Sequence, residues 1–559
     1  MTVRRRVLLI GGSGVFGRRL ATHLGRIAGL DLLLTSRDEN KAKQIAAGIA
    51  AVPETTIGGI RFDNRRNLDV QLGALAPWLV IDASGPFQDA GYEVPRAALM
   101  AGAHVVDLAD ARDYILGYGA ALDALARERG LVALAGASST PALSAAVVTA
   151  LTESWQRIDS IDIAITPGGR SEVGRAVIAA ILSYAGRPIP VWREGELQQV
   201  HGWLDAERVA MPGLGMRRTA AVETVDAQSL GPALRVGSRV SFRAGLESPI
   251  EQYAVMALAW LRRAGVVGDA RALIPALLSL RRISRLPTSD RGGMLVAVTG
   301  LDTAGALRQA RWSLLAERGD GPHVPTLPAA AALRALLDGR LAPGARSAAG
   351  SLTLAEIEAE MAPYAITTRC EHNAHGEAVF RDALDAASFT ALPAPLAALH
   401  GAAGPPVWQG RASVETGTHP LARLARRVIG LPPAGHDVPI TFSIDRIADR
   451  GGKAEVWTRN FSGRRFSSQL SANALGELQE RFGPIRFTLG LAARDGGLAL
   501  PITSARCFGI PLPRFVLPRS EAREYVDDIG RFRFDIRLSL PGIGLLTHYR
   551  GWLEPRSRE

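Results

Sequence analysis

Three groups of residues near the N-terminus have types and spacings that can do chemistry. The first is the glycine cluster in VLLIGGSGVFGRRL, Val7 to Leu20. It reads in two registers, Gly12, Gly14 and Gly17 as G-x-G-x-x-G, or Gly11, Gly14 and Gly17 as G-x-x-G-x-x-G. In either, Gly14 lets the backbone approach a pyrophosphate and Gly17 lets the next helix close on the strand, while that helix offers unpaired N–H groups to phosphate. Ser13, Val15 and Phe16 complete the same expected contact. The second group is Ser36 and Arg37 in TSRDEN. An NAD-binding fold places Asp or Glu there, about 20 residues past the loop, to accept from the ribose 2′-hydroxyl. A hydroxyl beside a guanidinium instead suits a 2′-phosphate, which arginine can bind through two charge-assisted bonds. NADP is the expected cofactor, and NAD read by Asp38 is the alternative. The third group is Asp107, Asp110 and Tyr114 in AHVVDLADARDY, the candidate catalytic residues, as a proton relay or a clamp on a substrate amine. Helix capping and solvation is the structural alternative for these carboxylates.

These residues need a frame. Val7 to Ile10 is wholly apolar, as a parallel strand covered on both faces should be. Phe16, Leu20, Leu24 and Ile27 recur at helical spacing, and LDLLLTSR follows as a second strand, so residues 7–37 form a βαβ unit. A third strand is expected from Gly59 to Asp63, and Asp63 is counted with the cofactor contacts. WLVIDAS, AHVVDLAD and LVALAGAS are further strands with helices between them, the alternation of a doubly wound parallel sheet. His104 begins its strand on the end away from the site, while Ser138 and Ser139 follow a strand end and either cap a helix or touch a ligand. The lysines are at 41, 43 and 453 alone, so the Tyr-x-x-x-Lys pair of short-chain dehydrogenases is excluded.

VLLIGGSGVFG, LLLTSRDENKAKQIA and VIDASGPFQDAGYEVPRAALMAGAHVVDLADARDYI resemble the NADP-binding domain of saccharopine dehydrogenase-like oxidoreductases over roughly residues 1–145. The resemblance implies that Ala83, Ser84, Gly85 and Pro86 lie against the nicotinamide ribose, at the C-terminal end of a central strand. Residues 146–375 are similar in layout to that family's second, α+β domain, with GDGPHVPTLPAAAALRALLDGRL as a helix returning to the first domain. WTRNFSGRRFSS, ERFGPIRF and CFGIPLPRF resemble an uncharacterised domain fused behind such reductase halves.

At 559 residues the chain is too long for one core. The expected fold class is α/β, with a Rossmann-type sheet over 1–145, an α+β substrate domain over 146–375, a linker over 376–410 and a mainly antiparallel β domain over 411–559. The linker reading rests on TALPAPLAALHGAAGPPVW, rich in Ala, Pro and Gly. The β reading rests on RFRFDIRLSL and PITFSID, where apolar residues alternate with polar ones.

The net charge of +11 comes from arginines scattered through the chain, which argues against nucleic acid. Cys370 and Cys507 make no disulfide framework, and Cys370, His372 and His375 lack metal-ligand spacing, so no metal is expected. YAVMALAWLRRAGVV is broken by Arg262 and Arg263, so no integral membrane span is expected, and the apolar run after MTVRRR is too short for a signal-peptide core. The protein is expected in the cytoplasm, with a small-molecule substrate and a homo-oligomer compatible with the sequence. Arg243, His201, Tyr253 and His323 are further candidates for an inter-domain cleft. The expected reaction is hydride transfer to or from C=N or C=O of a small or hydrophobic substrate. The rival is a non-catalytic NADP-binding protein whose C-terminal β domain holds a lipid-like ligand.

Overall fold

The first apolar run becomes strand β1 (Arg5–Ile10), whose Val7 to Ile10 are buried. It is followed by α1 (Val15–Leu24), β2 (Leu30–Ser36), α2 (Glu39–Ala47), β3 (Thr56–Arg61), α3 (Leu68–Leu75) and β4 (Leu79–Asp82). Then come α4 (Glu93–Met100), β5 (His104–Asp107), α5 (Arg112–Glu128) and β6 (Val132–Ala135). The computed structural model describes residues 4–556 apart from 269, 285–287, 375–377, 402, 450–451, 474 and 495. Among the described residues these strands form a seven-stranded sheet ordered β6-β5-β4-β1-β2-β3, with Gly344–Ser347 added beside β6. Every pairing in it is parallel. The chain winds outward from β1 to β3 and then restarts on the other side at β4. The C-terminal ends of β1 and β4 are therefore the switch point, where such sheets open a crevice.

The third strand runs Thr56–Arg61 and stops short of Asp63. Helix α2 packs so closely here that a Cβ on Gly59 would lie 2.3 Å from the Lys43 nitrogen. Asp63 turns into its own loop, accepting from the Arg65 N–H at 3.1 Å, with its backbone held by Gln71.

The second sheet is mixed. Strand Trp155–Thr166 pairs in parallel with Arg239–Ala244 and antiparallel with Gly292–Asp302. The meander continues through Leu307–Ala316 to Ile366–Ala374. Helix Leu327–Leu337 packs on α1 and β5, and its Leu333 belongs to one core with Leu20, Leu32, Ile161 and Val296. The two sheets therefore share a hydrophobic interior. The tail returns as expected, since Gly321–Thr326 packs on α1 and Gly344–Ser347 adds a strand to the first sheet.

Residues 376–410, expected as a linker, carry helices Val379–Ala383, Ala386–Thr390 and Ala394–His400. Their Phe380, Leu396 and Leu399 are buried against the third sheet, whose strand Val407–Thr416 begins inside the same stretch. That sheet has thirteen antiparallel strands among the described residues. Ile440, Phe442, Ile444, Phe532 and Phe534 all turn to its core, as their alternation requires. It docks on the second sheet through polar contacts, with Arg239 3.1 Å from Asp445 and Asn460 3.1 Å from Glu194. Among the described residues no helix is long and apolar enough to cross a membrane.

Candidate active site

The glycine loop sits at the switch point. Gly11 has φ +75°, and a Cβ there would lie 2.8 Å from both the Ala83 oxygen and the Ser84 Cα. A Cβ on Gly17 would lie 2.2 Å from the Gly11 oxygen. Gly12 has no left-handed requirement and faces Leu34. The backbone thus demands glycine at Gly11 and Gly17, which favours the register that begins at Gly11. Gly14 donates to the Gly11 oxygen at 2.8 Å and opens α1 from an extended conformation with no side-chain cap, which leaves the first helical N–H groups directed outward. A Cβ on Gly174, at the start of the helix Arg175–Tyr184, would lie 3.4 Å from the Val15 side chain.

At the end of β2 the Ser36 hydroxyl lies 3.5 Å from that of Ser13. Asp38, the residue that would read NAD, accepts from the Lys41 N–H at 3.2 Å and caps α2. Arg37 is exposed, and among the described residues no carboxylate pairs with it. Beyond β4, Ser84 is held from two sides: its N–H donates to Asp82 at 2.8 Å and its hydroxyl accepts from Asn64 at 3.1 Å. Ala83 and Ser84 therefore stand beside Gly11 in a braced loop that continues through Gly85 and Pro86.

The three candidate catalytic residues separate into two places. Asp107 is 1% exposed, and its carboxylate accepts from the N–H groups of Ala109 (3.0 Å) and Gly136 (2.8 Å) and from the Tyr114 hydroxyl (3.1 Å). Burial pushes it up to about 7 against those hydrogen bonds, helped by Asp82 opposite it on β4. Burial drives the Tyr114 hydroxyl far above its ordinary range, so it stays a donor to Asp107 within a ring cluster with Phe87, Tyr92 and Tyr118. Asp110 stands apart, exposed, accepting from Gln88 at 3.1 Å. His104 takes the Val132 N–H at 3.0 Å at the opposite end of the strands.

Across the crevice lies an apolar cavity of about 150 Å³ between the two sheets, lined by Phe16, Ser139, Thr166, Val173, Met294 and Val324. Phe16 comes from the glycine loop and Ser139 from the turn after β6. Neighbouring Thr140 and Ser144 are both hydrogen-bonded to buried Asp226, the latter at 2.5 Å, which ties this turn to the second domain. Glu172 bridges back to Arg18 (2.9 Å) and Arg19 (3.3 Å) of α1. The remaining candidates do not converge here. Arg243 is taken up by Asp205 (3.0 Å) and Glu207 (2.5 Å), and Tyr253 is exposed beneath Arg218. His323 stacks on Tyr364, and burial lowers it to about 4. Cys370 and His372 lie 3.2 Å apart, and His375 falls outside the described residues. The sequence reading missed Asp82 and Glu172, and both had a signal. Asp82 ends a four-residue apolar strand, and Glu172 follows a Gly-Gly-Arg-Ser turn.

A doubly wound sheet with its glycine loop at the switch point defines a Rossmann-type nucleotide fold. Residues 392–553 match a family described as a domain of unknown function (DUF4166). No curated protein matches the chain. Among solved structures it is similar to the apo saccharopine dehydrogenase (L-Glu forming) of Saccharomyces cerevisiae, 12% identical, over 66% of this chain and 100% of that one, with a TM-score of 0.48. It is also similar to the DAP dehydrogenase of C. glutamicum in complex with DAP, 15% identical, over 63% and 94% of the two chains, with a TM-score of 0.35.

Proposed function

We propose that the chain is an NADP-dependent oxidoreductase of the saccharopine dehydrogenase-like superfamily, moving hydride to a C=N or C=O of an apolar substrate, or from the C–H of the corresponding amine or alcohol. One observation carries the reading: Phe16 belongs to the glycine loop and is also a wall of the apolar cavity between the sheets. The residues fit a nicotinamide dinucleotide. Gly11 and Gly17 let the loop fold tightly on Ala83, Ser84 and itself, and Gly14 leaves the α1 N-terminus free for phosphate. Arg37 has a guanidinium to spend on a 2′-phosphate. Such a cofactor supplies the hydride chemistry. The chain's own residues supply orientation and dryness. Ser84, braced by Asp82 and Asn64, positions the loop beside Gly11, while Phe16, Val173 and Met294 keep water from the cavity. Asp107 and Tyr114 are positioning residues that lock the ends of β5 and β6 together. Asp110, at the same strand end and open to solvent, is the proposed proton partner. On this reading residues 1–145 hold the cofactor and 146–375 supply the substrate side.

Fluorescence titration with NADPH and NADH tests the proposal. A bidentate charged contact from Arg37 favours NADPH by about tenfold or more, and Arg37→Ala removes most of that preference. Equal affinities of the unaltered protein for the two cofactors would overturn the NADP assignment.

A further inference from the structure

The third sheet closes on itself. Strand Gly497–Ala499 pairs with Arg519–Val526, and the next strand, Ile502–Cys507, pairs with Ile485–Leu489. One continuous stretch thus joins the two ends of the sheet, with the Leu500 N–H bonded to the Ala522 oxygen (3.0 Å) and the Gly490 N–H to the Pro501 oxygen (2.9 Å). A closed barrel of this kind either fills its interior with side chains or holds one small ligand. This interior is not filled. A cavity of about 260 Å³ remains between Leu470, Phe487 and Ile502 on one wall and Ala522, Leu538 and Tyr549 on the facing wall. Ordinary interiors have few voids much larger than a water, whose share of the liquid is about 30 Å³.

Four polar side chains reach the inner end of this cavity: Arg459, Glu480, Glu524 and Tyr549. Three of them also border a smaller void of about 30 Å³ that runs to Leu399 of the closing helix Ala394–His400. Arg459 is 7% exposed and lies over the rings of Phe442, Trp457 and Phe466. Its guanidinium donates to Ser468 (2.9 Å) and Glu480 (3.3 Å), and Glu524 is bonded to His400 at 2.6 Å. Arg459, the one cation among them, is already paired with Glu480, so an anionic head entering here finds no spare counter-charge and loses its hydration. An uncharged head does not meet that penalty. Burial pushes the Tyr549 hydroxyl up to about 12, so it stays protonated, and among the described residues it has no hydrogen-bond partner. It is available to a ligand's hydroxyl or carbonyl.

The opposite end is the mouth. The pairings Phe461↔Arg464, Ile485↔Cys507 and Arg519↔Ser539 bring the ends of those strands to the side occupied by helix Pro420–Ile429. Ala425 and Ile429 of that helix, and Leu512 and Val516 of the loop after Cys507, line the cavity. The outer sides of the same two segments expose Leu421, Leu424, Phe508, Ile510 and Phe515, at 54, 59, 83, 69 and 75%. Exposed Arg423, Arg427, Arg506, Arg514 and Arg519 stand among them. Exposed apolar side chains interleaved with arginine suit the boundary of an anionic lipid surface.

We propose that the barrel binds a single-chain amphiphile with an uncharged hydrogen-bonding end, taken up through this rim from an anionic lipid surface. The volume, just below the roughly 300–1,000 Å³ of common ligand pockets, selects one chain rather than two. This reading does not depend on the nucleotide site. The test uses the full chain and 1-decanol, followed by tryptophan fluorescence, since Trp457 borders the cavity. Saturable one-to-one binding is expected, about tenfold or more tighter than for decanoate at the same pH. Ala522→Trp fills the cavity and abolishes binding while NADPH binding is retained. Leu538→Phe, a milder filling, weakens it. Absence of saturable decanol binding, or undiminished binding by a folded Ala522→Trp or Leu538→Phe protein, overturns the site. Decanoate binding as tightly as decanol overturns the uncharged head. Sedimentation with phosphatidylcholine vesicles, with and without phosphatidylglycerol, reads the source. Capture by the anionic vesicles and its loss in Phe515→Asp are expected, and no capture overturns the lipid-surface source.

Discussion

Alanine at Gly11 and at Gly14 separates what the loop needs for its shape from what it needs for a ligand. Gly11 has φ +75°, a conformation that costs an L-residue about 1–2 kcal/mol. Its new methyl would lie 2.8 Å from the Ala83 oxygen and the Ser84 Cα, both backbone atoms, and such overpacking adds about 1–3 kcal/mol. The less flexible unfolded chain returns about 0.4–1 kcal/mol. The net expected loss for Gly11→Ala is about 2–4 kcal/mol. Gly14 has φ −79° and its nearest neighbour to a Cβ is 3.1 Å away. There the poorer cap made by alanine and the unfolded-state gain nearly cancel, so Gly14→Ala stays within about 1 kcal/mol of the parent. Gly14→Val instead places its branched side chain where phosphate must approach, and NADPH affinity falls by about a hundredfold. Urea unfolding followed by near-UV circular dichroism reads the first quantity, and fluorescence titration the second. A Gly14→Ala protein as unstable as Gly11→Ala, or a Gly14→Val protein binding NADPH within about twofold of the parent, would refute this division of roles.

Asp107 gives a pH dependence of defined sign. Its folded value of about 7 lies above the ordinary 3.8, so its contribution is complete below pH 3.8 and is lost as pH rises through 7, by up to about 4 kcal/mol. Asp107→Asn keeps an oxygen for the Ala109 and Gly136 N–H groups and removes the titration; stability curves of the two proteins should diverge between pH 4 and 7, and parallel curves refute the assignment. Leu333 is fully buried in the interior shared by the first two sheets, so Leu333→Ala should cost about 2–5 kcal/mol. Hydrogen exchange should accelerate in β1 and in Trp155–Thr166 together while the barrel is unchanged, and a loss confined to one sheet would show that the cores are separate.

Much of the first sheet was legible because its signals are local. A four-residue apolar run, a glycine turn and a helical repeat within Val7–Leu24 specify their conformations with no help from distant residues. The choice between the two glycine registers was not local. It depends on Ala83 and Ser84 pressing on Gly11, more than seventy positions away in the chain. Nor was the end of β3 at Arg61, beyond which Asp63 turns back on Arg65 and is held by Gln71, eight positions on. Asp107, Asp110 and Tyr114 were adjacent as sequence, but the turn of the chain after β5 buries the first and third together and leaves Asp110 outside. The stretch 376–410 has the composition of a linker, yet Phe380, Leu396 and Leu399 find a sheet to pack on, and that burial outweighs its weak local preferences.

Sequence alone determined most elements of the first sheet, the alternating faces of the last one, and a serine and an arginine after β2 in the place where a nucleotide fold reads its ribose. Tertiary structure alone decided which ends meet. It returned Gly344–Ser347 to the first sheet, merged two cores into one, and led Gly497–Cys507 from one end of the last sheet to the other. Periodicity says which face of a strand is apolar, because neighbouring side chains alternate. Whether those faces fill the barrel or leave a cavity depends on side chains that meet only when the strands have closed.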